Sequence, residues 1–119
     1  MSSNGISKAV AAATVEPVAV CPVEQAIQVI GGKWKLLVLR SLLLNGPQRY
    51  NELLASVTGI SAKELTRNLD QLSESGLVVR AKGAAAGTAR YELTERGMGL
   101  MPTFTSLLTW GQGLLAGRA

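Results

Sequence analysis

The residue of this sequence best suited to chemistry is its single cysteine, Cys21, which is followed directly by Pro22. Proline suits the first position of a helix, so Cys21 is expected at a helix N-cap. The positive end of a helix dipole favours a thiolate, which is the form that reacts with oxidants and electrophiles. From the residue alone, two interpretations stay open: a redox-sensing cysteine, or a small and partly buried structural residue.

Most groups used in catalysis and metal binding are missing from the sequence. It contains no histidine and one cysteine, too few for a structural zinc site, a disulfide framework or a histidine-dependent nucleophile. The sequence also lacks a GxxxxGK[ST] phosphate loop. We therefore expect no enzymatic activity, no metal and no cofactor, although carboxylate or lysine chemistry is formally open.

A second group of candidate residues lies on a helix that begins with a capping box, Ser61 followed three residues later by Glu64. Its leucines recur on one face, and the opposite face carries Ala62, Lys63, Thr66, Arg67 and Asp70. Lysine and arginine read guanine or bind phosphate, and threonine contacts a thymine methyl or a phosphate. The helix N-terminus at Ser61 also suits a phosphate. The alternative is an ordinary solvated helix face.

The elements that must position these residues follow from the periodicity of the chain. Helices are predicted from Pro22 to Gly31-Gly32, from about Trp34 to Asn45, from Tyr50 to Val57, and from Ala62 to about Ser75. Strands over Leu77–Lys82 and Arg90–Leu93 follow, then a helix from Thr94 to about Leu115 that Pro102 either kinks or restarts. A very short strand is expected at Arg49. With a turn at Thr58–Ile60, this order predicts a mainly α fold with a small β-hairpin wing, a winged helix-turn-helix, whose second motif helix enters the major groove of DNA.

The predicted hairpin adds further candidate DNA contacts. Arg80, Lys82 and Arg90 flank a loop of small residues at 83–89, which would let the backbone approach a phosphate or the minor groove closely. The alternative is a flexible hairpin tip with incidental charge. The net charge of +4 permits nucleic-acid binding without requiring it. The predicted DNA-binding set is Ser61, Ala62, Lys63, Thr66, Arg67, Arg49, Arg80, Lys82 and Arg90.

The C-terminal helix is predicted to mediate dimerisation. Apolar residues keep helical spacing there, namely Leu100, Phe104, Leu107, Leu108 and Leu114. A domain of this size would expose much apolar surface if it were alone. We expect a homodimer, because two-fold symmetry also matches a palindromic operator. Packing of the helix on its own domain is the alternative.

One domain is expected over residues 21–119, preceded by a flexible tail at residues 1–20. The apolar stretch of the tail is short and Glu16-Pro17 interrupts it, which disfavours a secretory leader. No apolar run approaches the length of a membrane span. A cytoplasmic protein is therefore expected.

Several segments together resemble the HxlR-type family of winged helix-turn-helix transcriptional regulators. They are Cys21-Pro22-Val23-Glu24, Ile30-Gly31-Gly32-Lys33-Trp34, Arg49-Tyr50-Asn51-Glu52-Leu53, Gly59 through Thr66, Leu72 through Val78, and Tyr91 through Gly97. The resemblance covers about residues 21 to 111. It implies a dimeric bacterial or archaeal regulator that binds an inverted repeat and often represses a nearby gene.

The resemblance also implies a role for Cys21, because several family members use a cysteine in the same Cys-Pro context to sense quinones, aldehydes or oxidants. Two features depart from the family. Its wings commonly carry prolines and charges, whereas this one is rich in alanine and glycine. The sequence has no second cysteine, so any disulfide must join two subunits or a small thiol.

These observations predict a homodimeric, sequence-specific DNA-binding regulator, a repressor that responds to oxidants or electrophiles through Cys21. The partners expected are double-stranded DNA with an inverted repeat, a second copy of the chain and a small electrophile or oxidant. A DNA-architectural protein of low specificity is one alternative. A protein-interaction module that kept the fold without binding DNA is the other.

Overall fold

The structure is a computed structural model that describes residues 21–117. The predicted tail at residues 1–20 lies outside the described residues. The elements in chain order are α1 (Pro22–Ile30), α2 (Lys35–Asn45), α3 (Tyr50–Ser56), α4 (Ala62–Glu74), β1 (Val78–Ala81), β2 (Arg90–Leu93), α5 (Glu95–Met98) and α6 (Met101–Ala116). The chain divides into two units between Gly32 and Lys33.

Helix α1 belongs to the first unit and begins as predicted. Cys21 is its N-cap residue and Pro22 lies in its first turn, where a missing N–H costs no helical hydrogen bond. The Cys21 carbonyl accepts a hydrogen bond from the Gln25 N–H at 2.9 Å. Val23 and Ile27, four residues apart on one face of α1, are 56% and 60% exposed.

The core of the second unit is built from one face of each helix of the helix-turn-helix region. The largest fully buried side chains are Val38, Leu39, Leu53, Val57, Leu65, Leu69 and Leu72. The three leucines of α4 are buried at the i, i+4 and i+7 spacing that predicted them. Because they take one side of α4, its opposite side is left to solvent.

A glycine turn sets the course of the chain between α3 and α4. Gly59 has a φ of +87°, a conformation that residues with a Cβ rarely adopt. Ile60 follows it, buried, with its N–H bonded to the Val57 carbonyl at 3.2 Å. The capping box at Ser61 then opens α4. The predicted turn and capping box are confirmed.

The wing is a two-stranded antiparallel hairpin in which Val78 lies opposite Leu93 and Ala81 opposite Arg90. Strand β1 is one residue shorter at each end than the sequence predicted, so Leu77 is a buried turn residue rather than part of the strand. Gly97 in α5 packs so closely on the Leu77 carbonyl that a Cβ would lie 2.3 Å from its oxygen. This contact fixes the base of the wing against α5.

A short bridge joins the segment before α3 to the wing. Gln48 pairs with Tyr91, with N···O distances of 3.0 and 2.7 Å between their backbones. The prediction of a very short strand beginning at Arg49 is wrong: the bridge is a single pair at Gln48, and Arg49 is the N-cap residue of α3. The buried Gln48 side chain donates to the Ser41 carbonyl at 3.1 Å and to its hydroxyl at 3.0 Å. Helix α2 and β2 thus hold the chain in place just before α3 begins.

The C-terminal segment forms two helices rather than one. Helix α5 ends at Met98, and α6 begins at Met101 with Pro102 in its first turn. Of the two alternatives for Pro102, the start of a new helix is confirmed. Within residues 21–117, no helix is long and apolar enough to cross a membrane. The architecture is mainly α with a β-hairpin, as predicted.

Candidate nucleic-acid interface

The solvent-facing side of α4 brings together the residues of this helix that were predicted to contact DNA. A shallow groove along this helix is lined by Ala62, Lys63, Thr66, Arg67, Asp70, Gln71 and Glu74. Lys63, Thr66 and Arg67 are all exposed. Two basic side chains occupy the N-terminal half of the face, and the acidic ones lie toward its C-terminal half. The half near Ser61 is therefore the part best suited to a polyanion.

The N-terminus of α4 is fixed by hydrogen bonds from two directions. The Ser61 hydroxyl accepts from the Glu64 N–H at 3.1 Å, and Glu64 Oε1 accepts from the Ser61 N–H at 3.1 Å. Trp34, just before α2, donates its indole N–H to the other Glu64 oxygen at 2.9 Å. The bond from the Ser61 backbone, then the Ser61 hydroxyl and Trp34, lower the pKa of Glu64 below its ordinary value of 4.5. Ser61 therefore serves first as a helix cap.

Tyr50 links the first turns of α3 and α4. Its hydroxyl donates to the Ala62 carbonyl at 2.8 Å and lies 2.9 Å from the Thr66 hydroxyl. Two of the predicted DNA-binding residues are thus held by a side chain that the prediction did not include. The bridge fixes α4 relative to α3 on the exposed side of the pair.

Arg49 and Arg80 come together in a notch between α3 and the wing. The notch has a volume of about 540 Å³, and it is lined by Arg49, Tyr50, Asn51, Glu52, Arg80, Gly87, Ala89 and Tyr91. Glu52 Oε1 accepts from the Arg49 N–H at 2.8 Å and lies 3.5 Å from Arg49 Nε. That backbone bond is the main cause of a lowered pKa of Glu52. Arg80, on the other side, offers an unshared guanidinium among the described residues.

The basic residues of the wing flank its loop, as predicted. Arg80, Lys82 and Arg90 are exposed, and the loop beyond them is lined by glycine and alanine. Thr88 orders the loop by accepting from the Ala85 N–H at 3.1 Å. Arg80 also lines the notch beside α3, while the tip of the loop presents mostly backbone.

An apolar groove lies away from this basic surface, between α2 and α6. Its volume is about 600 Å³, and its lining includes Leu36, Leu37, Arg40, Leu43, Leu44, Phe104, Leu107, Leu108, Leu114 and Leu115. Leu44 is 75% exposed and Leu108 62%. Four of the five predicted dimer residues line this groove, and Leu100, the fifth, is half-buried at the N-cap of α6. Hereafter we call this lining the α2–α6 groove.

The contribution of α2 to this groove was missed by sequence reasoning. Leu36, Leu37, Leu43 and Leu44 alternate with buried residues in a leucine-rich run, so the helix is apolar around most of its surface. A helix that is apolar all round needs partners on more than one side. The apolar composition of α2 could therefore have indicated a second contact surface. For Tyr50 no periodic signal existed, because its partners are 12 and 16 residues away.

A three-helix core with a glycine turn, an exposed basic second motif helix and a hairpin wing defines a winged helix-turn-helix domain. The chain matches the model of the HxlR-like helix-turn-helix family over residues 29–118. It therefore belongs to this family of DNA-binding transcriptional regulators, as the sequence motifs predicted.

Named relatives and solved structures agree with this assignment. The chain is 41% identical to the uncharacterized HTH-type transcriptional regulator YkvN of Bacillus subtilis over 92 residues, 76% of this chain and 77% of YkvN. It is similar to the redox regulator HypR in its oxidized form, with a TM-score of 0.71 and 34% identity, over 78% of this chain and 96% of that one. The reduced transcriptional regulator YodB of B. subtilis gives a TM-score of 0.67 and 30% identity, over 77% and 91%.

Proposed function

We propose that this chain is a homodimeric repressor that binds an inverted-repeat operator sequence-specifically and acts in the cytoplasm without any catalytic step. The observation that carries the proposal is the exposed face of α4, where Lys63, Thr66 and Arg67 lie opposite three buried leucines. In helix-turn-helix proteins the second motif helix reads base edges from the major groove. Here that helix presents two cations and a threonine.

The proposed contacts outside α4 are to the DNA backbone. Arg49 and Arg80 flank the notch beside α3, and Lys82 and Arg90 extend the basic surface along the wing. Phosphate contacts of this kind fix the register of a protein on the duplex but carry no sequence information. Specificity is therefore assigned to the face of α4, with Ser61 and Ala62 at its N-terminal end.

The proposed homodimer uses the α2–α6 groove. A separate contact of the exposed face of α1 with the second subunit is also part of the proposal. Leu108, Leu114 and Leu44 are each more than half exposed in the protomer. An apolar groove of this kind on a small protein favours an interface. A two-fold arrangement would place one α4 helix in each half of an inverted repeat, with centres roughly 34–36 Å apart. One domain over residues 21–119 that includes α1 is part of this proposal.

Cys21 is the proposed sensing residue. It is partly exposed and is a free thiol at the N-cap of α1. Structures similar to this chain include YodB of B. subtilis bound to a quinone and YodB treated with diamide, and HypR is named a redox regulator. These similarities favour an oxidant or electrophile as effector. A disulfide would join Cys21 to its counterpart in the second subunit or to a small thiol.

The experiment that tests the proposal is a selection of bound duplexes from a random pool, followed by binding titrations at one fixed salt concentration. We expect an enriched inverted repeat, bound at least about a thousandfold more tightly than random duplex. Tight binding with no enriched sequence would instead identify a DNA-architectural protein. No binding at low salt would identify an interaction module, which the weakly charged wing loop favours.

A further inference from the structure

Lys33 is an exposed cation at the N-terminal end of α4, although the two are far apart in the sequence. Its Nζ atom lies 4.6 Å from the centre of the Trp34 ring, which is a cation–π contact. Trp34 in turn donates its indole N–H to Glu64 at 2.9 Å, and a Cβ on Gly59 would lie 3.8 Å from ring atom Cη2. Because Trp34 is only 9% exposed, its ring is a fixed support for the ammonium group.

The ammonium group of Lys33 keeps hydrogen-bond donors for an anion. It has three N–H donors and no acceptor, and the Trp34 ring covers only one side of it. Across residues 21–117, the one ion pair joins Arg49 to Glu52, and none involves Lys33. Since Lys33 is exposed, its remaining donors face solvent.

Trp34 and Tyr50 contact α4 on opposite flanks of its exposed face. Tyr50 lies 2.9 Å from the Thr66 hydroxyl, and Trp34 is bonded to the Glu64 carboxylate. Successive residues of an α-helix are about 100° apart, so the side chains of Thr66 and Glu64 leave the axis about 160° apart. The exposed face of α4, which includes Lys63, spans the interval between them.

Each of these two aromatic residues has a basic neighbour, Lys33 before Trp34 and Arg49 before Tyr50. Lys33 lies over the Trp34 ring, and Arg49 is the N-cap residue of α3. The exposed face of α4 therefore has a cation on each flank. A helix about 10–12 Å across fills a major groove about 12 Å wide, so each of its flanks faces the phosphates of a different strand.

From this geometry we propose that Lys33 binds a backbone phosphate of DNA, on the strand across the major groove from the one that Arg49 contacts. The inference rests on the proposed function, in which α4 enters the major groove. Trp34 acts through Lys33 and is a positioning residue, because its ring holds the ammonium group at the flank of α4. A phosphate contact carries no sequence information, so Lys33 contributes to affinity and register and not to base preference.

The test is the salt dependence of Lys33→Met, which keeps a stem that packs on the Trp34 ring and removes the charge. The variant and the wild type are titrated on the selected operator between about 50 and 200 mM salt. Loss of one phosphate contact in each protomer should make the slope of log K against log salt shallower by about 1.8. The loss of affinity should therefore be about tenfold larger at 50 mM than at 200 mM salt. The repeat selected from a random pool should stay that of the wild type.

Two further variants separate the charge of Lys33 from other effects. Arg96→Ala removes one positive charge from an exposed position on α5 and should keep the wild-type slope. Lys33→Arg keeps both the charge and the contact with the aromatic ring, and it should also keep the wild-type slope.

Ethylation of backbone phosphates, followed by recovery of the duplexes that still bind, locates each contact. Lys33→Met should lose interference at a phosphate on one strand of each half-site. Arg49→Gln, which keeps the N–H that donates to Glu52, should lose it on the other strand. Any other distribution of the two losses would overturn the inference.

The failure of this inference is distinguishable from that of the proposed function. A steep wild-type slope that Lys33→Met shares would overturn the inference alone. So would an affinity loss that is equal at every salt concentration, because Lys33 would then act through the fold, and so would a Lys33→Arg protein with the shallow slope of Lys33→Met. A wild type that enriches no sequence, or whose slope is near zero, would overturn the proposed function itself.

Discussion

Arg67 is the residue whose predicted role in DNA binding is most easily separated from folding. It is exposed on α4, opposite the buried leucines, so its side chain contributes little to the core. We predict that Arg67→Ala weakens operator binding by about 1–3 kcal/mol if the guanidinium reads a base. The free energy of unfolding should change little, since surface substitutions typically stay within about 0.5 kcal/mol.

A matched control for this loss of charge is Arg96→Ala, because Arg96 is exposed on α5 and lies outside the predicted DNA-binding set. The measurement is a binding titration of both variants on the selected operator, with urea unfolding alongside. Equal affinities for the two variants would remove Arg67 from the interface.

Cys21 carries the second prediction at this scale. A thiolate reacts with an oxidant to give a sulfenic acid, which a second thiol then caps as a disulfide with release of water. The new group enlarges the N-cap of α1, whose exposed apolar face we place against the partner subunit. A peroxide, which supplies the oxygen of the sulfenic acid, or diamide, which takes up two electrons and two protons as two thiols form the same disulfide, should therefore lower operator affinity by about five- to 150-fold, the usual range of a coupling between sites. A thiol reductant should reduce the disulfide and restore the affinity.

Cys21→Ser is the control for this switch, because it keeps a small polar N-cap residue and removes the reactive sulfur. It should bind the operator like the reduced wild type and ignore the oxidant. Equal responses of the two proteins would place the switch elsewhere. The switch would also lie elsewhere if mass spectrometry shows that Cys21 is modified and the operator affinity of the wild type is unchanged.

At the scale of elements, the junction of α2 with the N-terminus of α4 makes stability depend on pH. Glu64 has a pKa below its ordinary 4.5 in the folded chain, mainly through its bond from the Ser61 backbone. The folded state therefore gains stability from the charged form at pH values above 4.5, and loses it as the pH falls through the lower, folded pKa. We predict that Glu64→Gln is less stable than the wild type near neutral pH and that this difference shrinks as the pH falls below 4.5.

Urea unfolding followed by tryptophan fluorescence at several pH values measures this difference directly, since Trp34 donates to Glu64. Glutamine keeps an oxygen that accepts from Ser61, so the variant should fold. A difference between wild type and variant that stays constant with pH would show that the charge of Glu64 is irrelevant.

The sequence predicted helices and strands well because each is marked locally. The leucine spacing of α4, the capping box at Ser61 and the glycine at position 59 all lie within a few residues of the structure they specify. Contacts between elements were not predictable in this way. The Tyr50 bond to Ala62 spans 12 residues and the Trp34 bond to Glu64 spans 30, and neither produces a periodic pattern.

The candidate site was predictable to the same extent. The exposed face of α4 followed from helical geometry alone, since burial of the leucines leaves only one other side. The notch that joins Arg49 to Arg80 depends on the bridge between Gln48 and Tyr91, a pairing of residues more than 40 positions apart along the chain. Strand pairings of this range are set by tertiary packing.

At the scale of the whole molecule, the α2–α6 groove is the surface through which we expect two copies of the chain to associate. We predict that Leu108→Glu weakens self-association roughly a hundredfold or more, because an unpaired charge would be buried in an apolar interface. The fold of the protomer should survive, since Leu108 is 62% exposed there. Met98→Glu is the control, at an apolar residue of α5 that is 49% exposed and does not line the groove.

Sedimentation velocity over a range of protein concentrations measures both variants. Leu108→Glu should sediment as a monomer where the wild type and Met98→Glu sediment as dimers. A Leu108→Glu protein that stays dimeric would place the interface on another surface.

The salt dependence of operator binding tests the basic surface and the dimer in one measurement. If a dimer makes about 6–10 phosphate contacts through residues such as Arg49, Arg80 and Lys82, log K should fall with log salt at a slope of roughly −5 to −9. Each protomer supplies half of these contacts, so monomeric Leu108→Glu should give about half the slope on a single half-site. Titrations between about 50 and 200 mM salt measure both slopes. A slope near zero for the wild type would exclude the proposed phosphate contacts, and equal slopes for the two proteins would show that one protomer makes all of them.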